Sequence, residues 1–312
     1  MILAAALLAL LAVLLAWPVP LAVARSAWPD RAPGTALLLW QAIALGGVLS
    51  LLGSLLVAGL APYGDHLDAA LRSLGDDVAR GVLPSGTTYA SMLALASGVL
   101  LGAHLVANLV FTIVRTERQR ARHRSLLLLL SAPMPETPRT RLLDAAAPIA
   151  YCLPGTARSL TVLSAGLLDL LSPQEVQGVV EHERAHLQQH HALVLVAFRA
   201  WRIALPWFPV ASRAQRAVGL LTEMLADDQA RRRVPDPVLA RAITAVATGT
   251  RGGGGEPLDD APAADPASVE RRVRRLMHPS PAPPAVRVLV PFAAFALVVV
   301  PPVLLALPAL AG

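Results

Sequence analysis

The sequence predicts a mainly α-helical membrane protein in which four transmembrane helices frame one inserted α+β domain. Three observations carry this reading. Hydrophobic residues fill 55% of the 312 positions, above the share of an ordinary soluble domain. They gather into four runs, each long enough for a hydrocarbon core that takes about 20 residues to cross. Most of the charged side chains fall between the third and fourth runs. The chain accordingly divides into a three-helix transmembrane region over 1–114, a water-exposed domain over 115–287 and a fourth transmembrane helix over 288–312.

The apolar runs cover 2–24, 36–60, 89–114 and 288–310. The first has no basic residue ahead of Ile2 and is too long for a signal peptide. Trp17, Trp28 and Trp40 lie near the expected interfaces, where indoles commonly sit. Pro18 and Pro20, and Pro301 and Pro302, are expected to bend the first and last helices. His104 and Asn108, four apart in the third run, are expected to bond a neighbouring helix, since polar groups at that depth are expensive alone. The densest basic cluster, Arg115 to Arg124, directly follows the third run. The positive-inside rule makes it cytoplasmic. Both termini and the segment 61–88, with Asp65, Asp68, Asp76 and Asp77, are then outside. The protein is thus expected in the cell membrane as a multi-pass chain in contact with the lipid bilayer.

The formal charge of +6 comes entirely from arginine over acid, because lysine is absent. The arginines are scattered and often lie beside apolar runs, so direct nucleic-acid binding is not expected. Cys152 is the only cysteine, which excludes an intramolecular disulfide and a cysteine-based zinc cluster; a small buried hydrophobe is its expected role.

Within the inserted domain, 148–154 and 159–164 read as two short strands joined by a turn at Gly155. A short helix is expected over 165–171. Ser172-Pro173-Gln174-Glu175 then opens a helix to about residue 190, with proline at its first turn and a capping glutamate. Residues 192–205 are apolar but carry Arg199 and Arg202, which fits an amphipathic helix against core or membrane surface. A helix is expected over 220–231, a flexible Gly- and Pro-rich linker over 251–266, and a basic helix over 269–277.

The chemistry sits on two of these helices. His182-Glu183-Arg184-Ala185-His186 puts two imidazoles one turn apart on one helix face, close enough to share a zinc ion. Glu183, beside the first of them, is placed to take a proton from a water that the metal activates. Glu223-Met224-Leu225-Ala226-Asp227 offers a third ligand, Glu223, and one turn later a carboxylate, Asp227, suited to orienting a ligand histidine through its free N–H. His190 and His191 compete for the third position. Two steps of one turn each, from His182 through His186 to His190, however, spread the donors over about 12 Å along a straight helix. The metzincin pattern also wants glycine at 189 and histidine at 192, where this chain has Gln189 and Ala192. Both are therefore read as surface or helix-end residues. Glu175, Glu181 and Arg184 read as exposed helix positions. A site within lipid is disfavoured, because Glu175, Glu181, Arg184, Gln188 and Gln189 share the His182 helix.

These motifs resemble the BlaR/MecR-type membrane zinc metallopeptidases, gluzincins related to the HtpX-like membrane proteases. The resemblance rests on the run from Ala150 to Gly155, on Val162 to Leu168, on the His182 and Glu223 motifs and on the flanking apolar runs. It implies one Zn²⁺ held by His182, His186 and Glu223, Glu183 as general base, and Asp227 supporting a ligand. It implies a zincin-like metalloprotease domain on the cytoplasmic side, acting on a protein or peptide substrate in signalling, with a cytoplasmic transcriptional repressor as the family's substrate. Antibiotic-sensing members carry a penicillin-binding domain after the last helix, where this sequence stops at Gly312, so β-lactam sensing by this chain alone is not expected. The alternatives are an HtpX-like quality-control protease for membrane proteins and a non-catalytic membrane receptor or scaffold.

Overall fold

The computed structural model describes residues 1–82, 87–134, 140–153, 160–206, 208–252 and 265–310. The turn at Gly155 and most of the expected linker, residues 253–264, lie outside them. Helix α1 (Ile2–Ala16) breaks at Trp17, and α2 (Pro18–Arg25) continues from the two prolines that interrupt the hydrogen-bond ladder. A single 3-10 turn at Trp28–Asp30 leads into α3 (Pro33–Leu60). The acidic segment after it forms an amphipathic helix, α4 (Leu67–Arg80), stopped by Gly81 in the left-handed conformation.

Helix α5 (Tyr89–Leu130) starts at a Thr88–Ser91 capping box and runs unbroken through the apolar stretch and the arginine cluster. The last membrane-length helix, α12 (Pro284–Leu310), passes Pro301 and Pro302 without interruption. Among the described residues, four stretches are long and apolar enough to cross a membrane: Ile2–Arg25, Pro33–Tyr63, Tyr89–Leu130 and Pro284–Ala306.

These helices approach closely where side chains are smallest. A Cβ on Gly46 of α3 would lie 2.4 Å from the Leu297 carbonyl oxygen on α12, and one on Gly59 would lie 2.6 Å from the Leu95 backbone on α5. Gly46→Ala is expected to cost about 1–3 kcal/mol, because the obstacle is backbone and cannot rotate away. Reversible unfolding of the full chain in mixed micelles measures it.

Among the described residues, four short strands form one sheet in the order β1-β2-β4-β3: β1 (Ser131–Pro133), β2 (Thr140–Leu143), β3 (Ala150–Leu153) and β4 (Leu160–Ser164). Strand β2 runs parallel to β4, and the other pairs are antiparallel, leaving β3 at an edge. The first two strands were not apparent from the sequence. Ser164, fully buried, ties the sheet to the next helix, α6 (Ala165–Leu170). Its hydroxyl donates to the Ala147 carbonyl at 2.7 Å and accepts from the Ile149 amide at 2.9 Å and the Leu167 amide at 3.1 Å, capping α6.

Helix α7 (Pro173–Gln188) begins as its sequence dictates, with proline at the first turn. The backbone N–H and hydroxyl of Ser172 both donate to Glu175, at 2.9 and 2.8 Å. It packs on β3 and on two later helices, α9 (Pro209–Ala230) and α10 (Asp236–Gly252). Between them α8 (His191–Ala204) and α9 form a hairpin that lies among the membrane-length helices. Phe198, Ala214, Val218 and Leu221 share a buried cluster with Leu39, Trp40 and Ile43 of α3 and Ala294 of α12. The polar pair in α5 reaches this hairpin: the Asn108 amide donates to the Ala200 carbonyl at 2.6 Å, and His104 Nε2 lies 3.3 Å from the Ala204 carbonyl. Helix α10 runs to Gly252, further than the sequence indicated, and α11 (Pro266–Met277) precedes α12.

Candidate metal centre

Helices α7 and α9 cross so that one face of each meets the other. His182 Nε2 and His186 Nε2 lie 3.2 Å apart. Glu223 reaches both, with Oε2 at 3.3 Å from His182 Nε2 and Oε1 at 3.3 Å from His186 Nε2. Among the described residues this is one group of donor atoms close enough to share an ion, all within 4.8 Å of one another.

The spacing has a physical meaning. Zinc–ligand bonds of about 2.0–2.1 Å in a tetrahedron put donors about 3.3 Å apart, close to the separation of the two histidine nitrogens and to the distance of each from its nearer Glu223 oxygen. Two imidazoles and a carboxylate also suit zinc chemically.

Electrostatics point the same way. Glu183, Glu223 and Asp227 bring three carboxylates into the site, and Arg272 of α11 is the guanidinium that meets them. A dication closes that balance. Arg272 Nε and Nη2 donate to the two oxygens of Asp227 at 2.8 and 2.7 Å, and Nη1 lies 2.8 Å from Glu223 Oε2. Burial works against ionising Asp227 and Glu223. The Arg272 guanidinium overrides it, holding Asp227 at about 2 and Glu223 well below the usual carboxylate range.

His182 Nδ1 lies 2.9 Å from Asp227 Oδ1, within ion-pair reach, although the ring N–H points off the line of a well-formed hydrogen bond. Burial works against a charged His182, but the carboxylates of Asp227 and Glu223 outweigh it and push its pKa up to about 10. The site therefore attracts positive charge, as a proton or as a metal.

Glu183 stands next to His182 on α7, the helix that packs on β3. Burial raises its pKa, and the neighbouring His182 and His186 partly offset that. Its charge reaches Cys152 on β3, whose thiol burial already pushes up and whose Sγ lies 3.6 Å from Thr161 Oγ1. Cys152 is half-buried rather than fully enclosed.

Two neighbours were misread or missed in the sequence. His191 is not a surface residue; it is 2% exposed. His190 takes a left-handed backbone, φ 53°, and this corner turns α8 back so that His191 covers His186. His191 Nδ1 lies 3.0 Å from His186 Nδ1, and His191 Nε2 lies 3.0 Å from Gln189 Oε1. With His186 Nε2 turned towards the other donors, its Nδ1–H donates to His191 Nδ1, and the Nε2–H of His191 donates to Gln189. Burial, then the adjacent His186, lowers the His191 pKa to about 4 and keeps it neutral in this role.

His191→Phe leaves the His186 N–H without an acceptor and is expected to weaken zinc binding by about 10- to 100-fold, read by competition with a chelating dye. Arg272, the other neighbour, was hidden among the arginines of α11. Asp228 is also paired: Arg275 grips both its oxygens at 2.8 and 2.7 Å. Glu181 pairs with Arg184, and Glu175 with Arg241, away from the donor cluster.

No curated protein and no solved structure matches the chain. Residues 115–230, which contain the sheet and both donor-bearing helices, match the family model of Peptidase family M48.

Proposed function

We propose that this protein is a membrane zinc metalloendopeptidase, with His182, His186 and Glu223 holding the metal and Glu183 as general base. The observation that carries the reading is the cluster of His182, His186 and Glu223 where α7 packs on α9, with one donor atom from each lying within 4.8 Å of the others, within the region that matches a peptidase family. A zinc ion there supplies Lewis acidity that makes water a nucleophile near neutral pH. Glu183 takes a proton from the attacking water and returns it to the departing amide nitrogen, and its burial strengthens it as a base. Asp227 fixes the ring of His182, and His191 fixes that of His186, so both present Nε2 to the cluster. The edge strand β3 lies against α7 and offers a backbone for an extended peptide to pair with, which sets its carbonyl beside Glu183.

In this reading the catalytic domain is cytoplasmic, because the Arg115–Arg124 cluster follows the third apolar run. The activity is regulated proteolysis in signalling, with a cytoplasmic repressor as substrate. One observation favours a second reading, quality control of membrane proteins. Leu225, two residues past Glu223, packs 3.7 Å from the Cβ position of Gly34 at the start of α3, which puts the site at the foot of the membrane-length helices.

The test compares the proteomes of cells carrying the wild type and Glu183→Gln. A single cytoplasmic regulator that persists only in the variant supports signalling, and many unrelated membrane proteins that persist support quality control. No difference overturns both.

A further inference from the structure

The 3-10 turn between the first two membrane-length stretches is joined to the metal centre by helix α11. Asp30 on that turn receives a forked bond from Arg271, with Nε donating to Oδ2 at 3.1 Å and Nη2 to Oδ1. One turn along, Arg275 donates from Nε to the Asp30 carbonyl at 2.6 Å while its other nitrogens hold Asp228 of α9. Arg272 lies between these two on the same helix and grips Asp227 and Glu223. Three arginines of one helix thus tie a turn at residue 30 to a metal ligand at residue 223.

We infer that Asp30 is a positioning residue for Glu223, acting through α11. Arg271 and Arg275 fix the rotation of α11, and that rotation decides where the Arg272 fork stands. A planar fork must meet Asp227 and Glu223 together, so a modest rotation of α11 moves Glu223 away from the two histidines. The turn at Asp30 belongs to the apolar N-terminal region, so movement of those helices reaches the metal centre along this route. The inference rests on the proposed metal centre. Asp30 touches none of the donors, and α11 keeps an independent apolar anchor, with Leu276 buried against Val234 and Leu239. Loss of the Asp30 carboxylate therefore leaves α11 docked, with its rotation held by Arg275 but no longer by Arg271.

The experiment uses the full chain in detergent. Zinc affinity is measured by competition with a chelating dye, and hydrogen exchange is followed across α11. Asp30→Asn is expected to bind zinc about tenfold more weakly, the lower end of what loss of a ligand-supporting residue costs, with faster exchange in α11. Asp30→Arg is expected to do worse, because it faces Arg271 and Arg275. Combining it with Arg271→Asp is expected to bring affinity back to within about threefold of the wild type, since the reversed pair re-forms the bridge. A wild-type chain that binds zinc together with an Asp30→Asn variant of equal affinity would overturn the inference alone. Failure of the reversed pair to recover affinity would also overturn it. A wild-type chain that binds no zinc would instead overturn the metal-centre reading.

Discussion

Replacing Glu183 by glutamine is expected to slow peptide hydrolysis by about 10²- to 10⁴-fold, the range that a positioned general base contributes, while zinc binding and the fold stay intact. The amide has nearly the same shape as the carboxylate and cannot take the proton from water. Glu183 is not one of the clustered donors, so the metal site should keep its affinity. The substitution also removes a carboxylate that burial disfavours, so stability should hold or rise slightly. The decisive measurements are metal content and turnover of a quenched peptide on the same preparation. A variant that still cleaves at the wild-type rate would remove Glu183 from the chemistry. A variant that loses metal together with activity would show that Glu183 supports the site rather than the reaction. Stripping zinc from the wild type should abolish turnover, and adding it back should restore it.

Much of this site was legible because helix geometry converts spacing into proximity. The interval between His182 and His186 puts both rings on one face, and their Nε2 atoms are 3.2 Å apart. The interval between Glu223 and Asp227 does the same on the facing helix, and Ser172 with Pro173 and Glu175 marks where α7 begins. The long apolar runs likewise announced the helices. What stayed hidden depended on contacts between distant segments or on local backbone choices without a sequence marker. His190 adopts a left-handed turn that glycine or asparagine usually signals, so the burial of His191 had no cue. Strands β1 and β2 are three and four residues long, too short for alternation to stand out, and β1 comes directly after a leucine run that continues α5. Arg272 sits in a run of arginines that reads as a solvated face. The clue that existed was one of balance, since three acidic side chains around one candidate dication site need a further cation.

That cation defines the second large effect. Arg272→Met is expected to destabilise the metal-free protein by about 3–5 kcal/mol, the cost of stranding a buried charge. The side chain of Asp227 is 1% exposed and that of Arg272 12%, so water cannot replace the lost fork. Asp227 would keep only its imperfectly aligned contact with His182, and Glu223 would lose its 2.8 Å partner. Arg272→Lys should fall between the two, because it keeps the charge and loses the paired geometry. Zinc is expected to return part of the stability, since a dication beside Glu223 supplies positive charge to the same cluster. The double variant Asp227→Asn with Arg272→Met removes both charges together and should be less destabilised than the sum of the two single variants. Thermal unfolding of the full chain in detergent, with and without zinc, reads each step. An Arg272→Met protein with wild-type stability and zinc affinity would mean that Asp227 and Glu223 hold their positions without the guanidinium. The route from Asp30 to the metal centre would then have no final link.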